Sequence, residues 1–406
     1  MVKDQFERTC EQFYYISLFL YLLLLFVMQT ELRATLSAVP DTLLKYARYC
    51  CFLMFGLKVV LMPLYKRQYL LPAMVGLPCA LLCAYLSGDR RILFIAVAVI
   101  AAYGCDTKTI MKVCVSAFSL GFALTLLLCS VGVFQNRVLD EVRNRHNLGF
   151  NWVTLASIYW LFITIGYTWI REKGITFLEI LLMEAVCFFL FYETDTRLTF
   201  IVNTLFLAIV LIEKYVFRCS WPFLSNTGYW FCVLPIVLMI LVVVVQILYT
   251  PDHKAWETVN SLLSGRLSQT EEQFNTLPIT LFGQKVEWVG QSLSDYFQNV
   301  NHSAVSNNVD SSYLRIFFDY GVAGVLIGLS LYMIGIYKAV AAREYFLLLG
   351  YITVLLFCVT EQWMLELSFN PFPLFAFSTI AGHSSPGNPA GRRRKILFRQ
   401  KQSDFK

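Results

Sequence analysis

The chain has 406 residues, of which 57% are hydrophobic and only 15% charged, with a formal net charge of +6. Soluble domains carry about 25% charged residues. Here apolar runs able to cross a hydrocarbon layer about 30 Å thick recur almost throughout. This excludes a sizeable soluble domain and leads to the expectation of an all-α, polytopic membrane helix bundle.

In chain order, hydropathy places about twelve spans, at 13–30, 46–64, 69–87, 92–105, 113–134, 152–170, 175–192, 198–217, 228–249, 312–337, 345–361 and 370–382. The first is read as a span and not a removable signal, because no small-residue cleavage site follows it. Residues 1–249 thus hold nine spans, 250–311 form one large loop, 312–382 hold the last three spans, and 383–406 form a basic tail. Most of the twelve cysteines fall within or beside spans and no CxxC occurs, so they read as packing residues.

Lys3 and Arg8 precede the first span, and alternate connections carry Lys66/Arg67, Lys108/Lys112, Arg171/Lys173, Lys214/Arg218 and Lys338/Arg343. The tail sets Arg392–Lys395, Arg399, Lys401 and Lys406 against Asp404 alone. By the positive-inside rule both termini are expected in the cytoplasm and 250–311 outside. The tail reads as an anchor at an anionic leaflet and not as a nucleic-acid-binding segment.

Charges inside apolar sequence need a reason. Lys58 and Glu184 read as a structural ion pair within the membrane. In "FFLFYETDTRLTF", residues 193–197 read as a tight turn, with Arg197 at the start of the next helix and aimed outward. In the loop, Trp256, Val259, Leu262, Leu263 and Leu267 recur at helical spacing, predicting one amphipathic helix on the membrane or over the bundle. "LPITLFGQ" reads as an extended piece with a glycine turn. Asp310 or Ser311 is placed to cap the next helix, and Arg315 and Asp319 are spaced as an ion pair on one helix face.

Besides Arg197, outward charges gather at Arg143, Arg145 and His146, at Arg266, and at Asp310–Tyr313 with His302 nearby. Guanidinium forks hold phosphate oxygens bidentately, so arginines at one membrane face suit a lipid-linked diphosphate. A nearby acid or histidine could accept a proton from a sugar hydroxyl. Snorkelling anchors are an equal reading of Arg197 and Arg266, and His302 reads first as a surface histidine.

"GRL" followed by "ITLFG", then "VDSSYL" running into "DYGVAG", resembles the large-loop region of Wzy-type polysaccharide polymerases, of the O-antigen ligase and polymerase superfamily. "RHNLGF" before the sixth span and the arginine before the eighth stand in the order that family shows. The resemblance implies a GT-C-like membrane glycosyltransferase that needs no metal and no nucleotide. It would act at the outer face of a bacterial cytoplasmic membrane on undecaprenyl-diphosphate-linked glycans, with a chain-length regulator protein as a partner. It points to Arg197, Arg266 and Asp310 as catalytic, and to Arg145, His146, Tyr313 and His302 as substrate-binding. The ligases of that superfamily have His-Asn where this chain has Asp310 and Ser311, which leaves the identity of any base open. Two alternatives stand beside a polymerase: a polysaccharide ligase and an oligosaccharide-lipid flippase or transporter. A flippase is expected to show internal repeats, and none is visible.

Overall fold

A computed structural model describes residues 2–32, 41–62, 70–140, 143–263, 265–288 and 307–380. Among them run α1 (Val2–Val27), α2 (Asp41–Leu61), α3 (Leu70–Ser87), α4 (Arg91–Ala101) and α5 (Thr107–Ser130). A short hairpin follows, β1 (Val138–Asp140) and β2 (Arg145–His146). Then come α6 (Leu155–Arg171), α7 (Phe177–Thr194), α8 (Arg197–Tyr215), α9 (Pro222–Thr227) and α10 (Leu234–Leu248). The loop carries α11 (Lys254–Leu262) and α12 (Arg266–Thr276), and α13 (Ser312–Ala342) and α14 (Tyr345–Phe357) complete the helices.

Each of the first eleven expected spans coincides with helix. Five stretches, Gln5–Val27, Thr107–Ser130, Arg197–Tyr215, Pro222–Leu248 and Ser312–Ala342, are long and apolar enough to cross a membrane. The outside of the bundle is apolar as well: Tyr85, Phe188, Leu205 and Ile240 are all exposed. An exterior of this kind belongs against lipid, and the chain is a membrane protein. At the centre, α6 buries nearly its whole circumference, with Tyr159 and Phe162 among its core residues. Such all-round burial suits a helix hydrophobic on every side.

Four expectations need correction. In the twelfth span, expected at 370–382, residues 370–380 do not form an α-helix: a single 3-10 turn, Phe372–Ala376, is their regular part, and 381–382 lie outside the described residues. Pro371 and Pro373 in "NPFPLF" withhold backbone donors. The predicted single amphipathic helix of the loop is two, α11 and α12, broken where Gly265 takes φ +81°. Lys58 and Glu184 do not pair. Lys58 Nζ donates to the Ala101 carbonyl at 2.5 Å and to Cys105 Sγ at 2.8 Å, whereas Glu184 accepts from Thr204 Oγ1 at 2.6 Å. The β1–β2 hairpin was not expected from an all-α reading.

The segment after α14 fills the core with irregular chain. Its polar groups are matched one by one: Ser312 N donates to the Cys358 carbonyl and Tyr332 OH to the Met364 carbonyl. Asn370 Nδ2 reaches Tyr332 OH at 2.7 Å and the carbonyls of Trp363 and Met364 at 2.9 and 3.0 Å. Lys338 Nζ gathers the carbonyls of Phe375, Ala376 and Ser378. Thr379 then bridges to Asp106 at the start of α5. Non-helical backbone at membrane depth is tolerated only where protein encloses and satisfies it.

Candidate functional site

At the end of the bundle that carries the loop, three arginines from separate elements converge on residues 358–370. Arg266 opens α12, and its Nη2 lies 2.8 Å from Glu361 Oε1 while its Nε lies 3.0 Å from Asp310 Oδ2. Arg315 in α13 bonds Gln362 Oε1 at 3.1 Å, Asn308 Oδ1 at 2.6 Å and Asp319 at 2.8 Å, and packs over the Trp288 ring. Arg91 at the start of α4 pairs with Asp89 at 2.9 Å and lies 3.7 Å from Glu366 Oε2. The buried Glu361 thus shares Arg266 with Asp310. Arg266 is itself held more firmly protonated by Glu361 and Asp310, which outweigh its own desolvation.

The loop is fastened over this region by glycine contacts. Val322 N and Ala323 N donate to the carbonyls of Thr280 and Leu281. Gly321 (φ +66°) and Gly283 (φ +93°) lie so close that a Cβ on either would strike backbone. Gly321 also interrupts α13, separating Ser312–Tyr320 from the rest of the helix.

Beside Arg91 lies an open cavity of about 390 Å³, between the ends of α1, α2 and α4 and residues 366–368. Its cations are Lys45, Arg48, Arg90 and Arg91; its carboxylates are Asp89 and Glu366. Gln29, Asn151 and Ser368 add neutral polar groups. Tyr49 and Phe94 stack with their rings 13° from parallel and form part of the wall. Arg48 Nε is buried without a hydrogen-bond partner among the described residues. Burial opposes ionisation of Asp89, but Arg91 and a hydrogen bond from Tyr320 hold its carboxyl below the usual range.

The residues expected from sequence fall into separate groups. Arg266 and Asp310 meet directly. Arg197, Arg143 and Arg145 form a second cluster at the α7–α8 turn, where Asp195 takes φ +45°. Asp195 accepts from Arg143 Nε at 2.7 Å and Arg197 Nε at 3.1 Å, and Arg145 Nε donates to the Thr194 carbonyl at 2.8 Å. The Arg197 side chain is 71% exposed, against 26% for Arg266. His146 lies in β2 with a buried Nδ1. Tyr313 is a core residue, 1% exposed, donating to the Leu355 carbonyl, and presents nothing to a ligand. His302 lies outside the described residues.

Lys45, Arg48, Arg90, Arg91, Glu361 and Glu366 were not singled out from sequence. "GDRR" between two apolar runs was the one local signal; the others stand alone in the chain and meet only in space. Comparison with family models, with curated proteins and with solved structures finds no match to this chain.

Proposed function

We propose that the chain is a polysaccharide polymerase of about twelve membrane crossings with a GT-C-like arrangement, joining lipid-diphosphate-linked glycan units at the outer face of a bacterial cytoplasmic membrane. The last crossing is made by the irregular segment ending at Thr379. The loop then lies outside and both termini lie in the cytoplasm. In the reaction a sugar hydroxyl of one unit attacks C1 of the growing chain, the C1–O bond to the lipid diphosphate breaks, and the hydroxyl proton passes to a carboxylate. Arg266 and Arg197 are assigned to the charge of the leaving diphosphate, the electrostatic part of the catalysis. Arg145 and His146 are assigned to the substrate glycan.

The observation that carries this reading is the convergence of Arg266, Arg315 and Arg91 on residues 358–370, beneath a fastened loop. Fixed guanidinium groups at one face, flanked by carboxylates, suit transfer between anionic lipid-linked substrates. Asp310 has a double engagement, with Arg266 and with Asn308 Nδ2 at 3.1 Å. These two bonds leave acceptor capacity on both carboxylate oxygens for a substrate hydroxyl.

The test is purified protein in liposomes containing a lipid-diphosphate-linked repeat unit. A product ladder lengthening with time, lost when Arg266→Ala is reconstituted at an equal amount of folded protein, is the expected result. Movement of the unit across the bilayer without joining would replace the reading with a flippase. A single transfer to a non-glycan-lipid acceptor would replace it with a ligase.

A further inference from the structure

The cavity beside Arg91 is separate from the Arg197 cluster and has no part in holding the leaving group as assigned above. We propose that it is a binding site for an acidic saccharide: a sugar bearing a carboxylate, with its hydroxyls and ring face also recognised. This deepens the proposed function and rests on it for the statement that the ligand is part of a glycan.

Three features of the lining select this chemistry. Four cations against two carboxylates leave the cavity positive, so an anion is favoured. Asp89 and Glu366 reduce the positive charge an anion meets here, as Glu361 and Asp310 do at Arg266. For a singly charged sugar the same carboxylates are useful, because they accept hydrogen bonds from ring hydroxyls while an arginine fork takes the acid. Second, Gln29, Asn151 and Ser368 add donors and acceptors suited to hydroxyls. Third, the stacked Tyr49 and Phe94 offer an aromatic surface to the apolar face of a pyranose ring. The volume is within the range of small-molecule sites.

Arg48 is a lining arginine with no hydrogen bond or ion pair among the described residues; its Nε–H is itself buried, so its terminal guanidinium nitrogens are the donors left for a ligand. Arg91 is already matched to Asp89, and Arg90 Nη1 donates to Tyr49 OH at 3.3 Å, so Arg48 is the cation with least protein engagement at its guanidinium. It is assigned to the carboxylate of the sugar.

Calorimetric titration of the full chain in nanodiscs tests this with four probes: glucuronate, trigalacturonate, maltotriose and inorganic pyrophosphate. The two acidic saccharides should bind and maltotriose should bind at least tenfold more weakly. Arg48→Met should weaken acidic-saccharide binding at least tenfold at an unchanged melting temperature, and Arg90→Met should do so to a lesser degree if Arg48→Met fails to fold. Equal binding of maltotriose, no binding of either acidic saccharide, or unchanged binding in Arg48→Met would overturn the proposal. Pyrophosphate binding tighter than either saccharide and lost in Arg48→Met would also overturn it, assigning the cavity to phosphate. A product ladder without saccharide binding defeats this site alone; saccharide binding without a ladder defeats the polymerase reading alone.

Discussion

Two core-forming stretches of this chain fold in opposite ways. Residues 155–171 form α6, an uninterrupted helix in the centre of the bundle, whereas residues 358–380 reach the same core as irregular chain around one 3-10 turn. In α6 the backbone satisfies itself, so hydroxyls such as Thr164 and Thr168 are left buried without partners. In 358–380 the backbone cannot do so, and Asn370, Tyr332, Tyr351 and Lys338 supply the missing bonds. Within a protein interior, then, chain can be helical and satisfy its own backbone, or irregular where distant side chains satisfy it. The irregular stretch is also the one that offers side chains to arginines, because its turns aim Glu361, Gln362 and Glu366 at three different elements.

The strongest way to break this comparison is Asn370→Leu. It removes one bond each from the carbonyls of Trp363 and Met364, which keep Glu366 N and Tyr332 OH, and it orphans the Phe372 N–H, worth about 1–3 kcal/mol when buried and unpaired. The variant should fail to give monodisperse protein in detergent, whereas Thr164→Val, which removes an unpartnered hydroxyl from α6, should match or exceed wild-type melting temperature. Equal tolerance of both would show that the irregular segment does not depend on these bonds.

Arg266→Ala comes next. It leaves Glu361 buried and uncompensated, a loss of about 3–5 kcal/mol for a buried pair, to be read as lowered thermal stability along with lost polymer. Arg197 sharpens the contrast because it lies on an exposed turn. Arg197→Lys should change stability by no more than about 0.5 kcal/mol. If a bidentate fork holds phosphate there, Arg197→Lys should still shorten polymer sharply on a gel. Full-length polymer at normal abundance would reduce Arg197 to an anchor.

Glycines separate the two regions further. Gly321→Ala sets a Cβ against the Thr280 carbonyl and Gly283 N, in a left-handed backbone, and should release the loop so that protease cuts within 277–288. Gly166→Ala in α6 meets only the side chains of Val115 and Met111, which can shift, so its cost should be about 1–3 kcal/mol without added cleavage.

The smallest effect concerns pH. Burial of Asp195 opposes its charge, but Arg197 and Arg143 outweigh this and depress its carboxyl below the usual range. A depressed carboxylate adds stability that is present above its unfolded-state value and lost as pH falls through the folded one. Melting temperature should decline across that acid window, and Asp195→Asn should flatten that part of the profile.

Much of the fold was legible from residue patterns. Eleven helices lie where hydropathy places them, and the Arg315–Asp319 pair and the turn before Arg197 follow from spacing of a few residues. The site was legible only in part. Arg266 and Asp310 were named separately and prove to touch, but Glu361 and Glu366 were hidden because their partners stand 95 and 275 positions away. Lys58 shows the opposite error: a buried charge was given the nearest plausible counter-charge, when backbone carbonyl and thiol satisfy it.

By itself the sequence determined that this chain enters a membrane, and where most of its helices run. Those properties depend on local hydrophobicity and on a backbone that must bond to itself in lipid. Tertiary structure alone decided that residues 370–380 enter the core without a helix, that the loop helix breaks at Gly265, and which arginine faces which carboxylate. These outcomes depend on partners far along the chain, since a carbonyl freed from a helix or a charge placed under a loop is tolerated only when a distant side chain arrives to meet it.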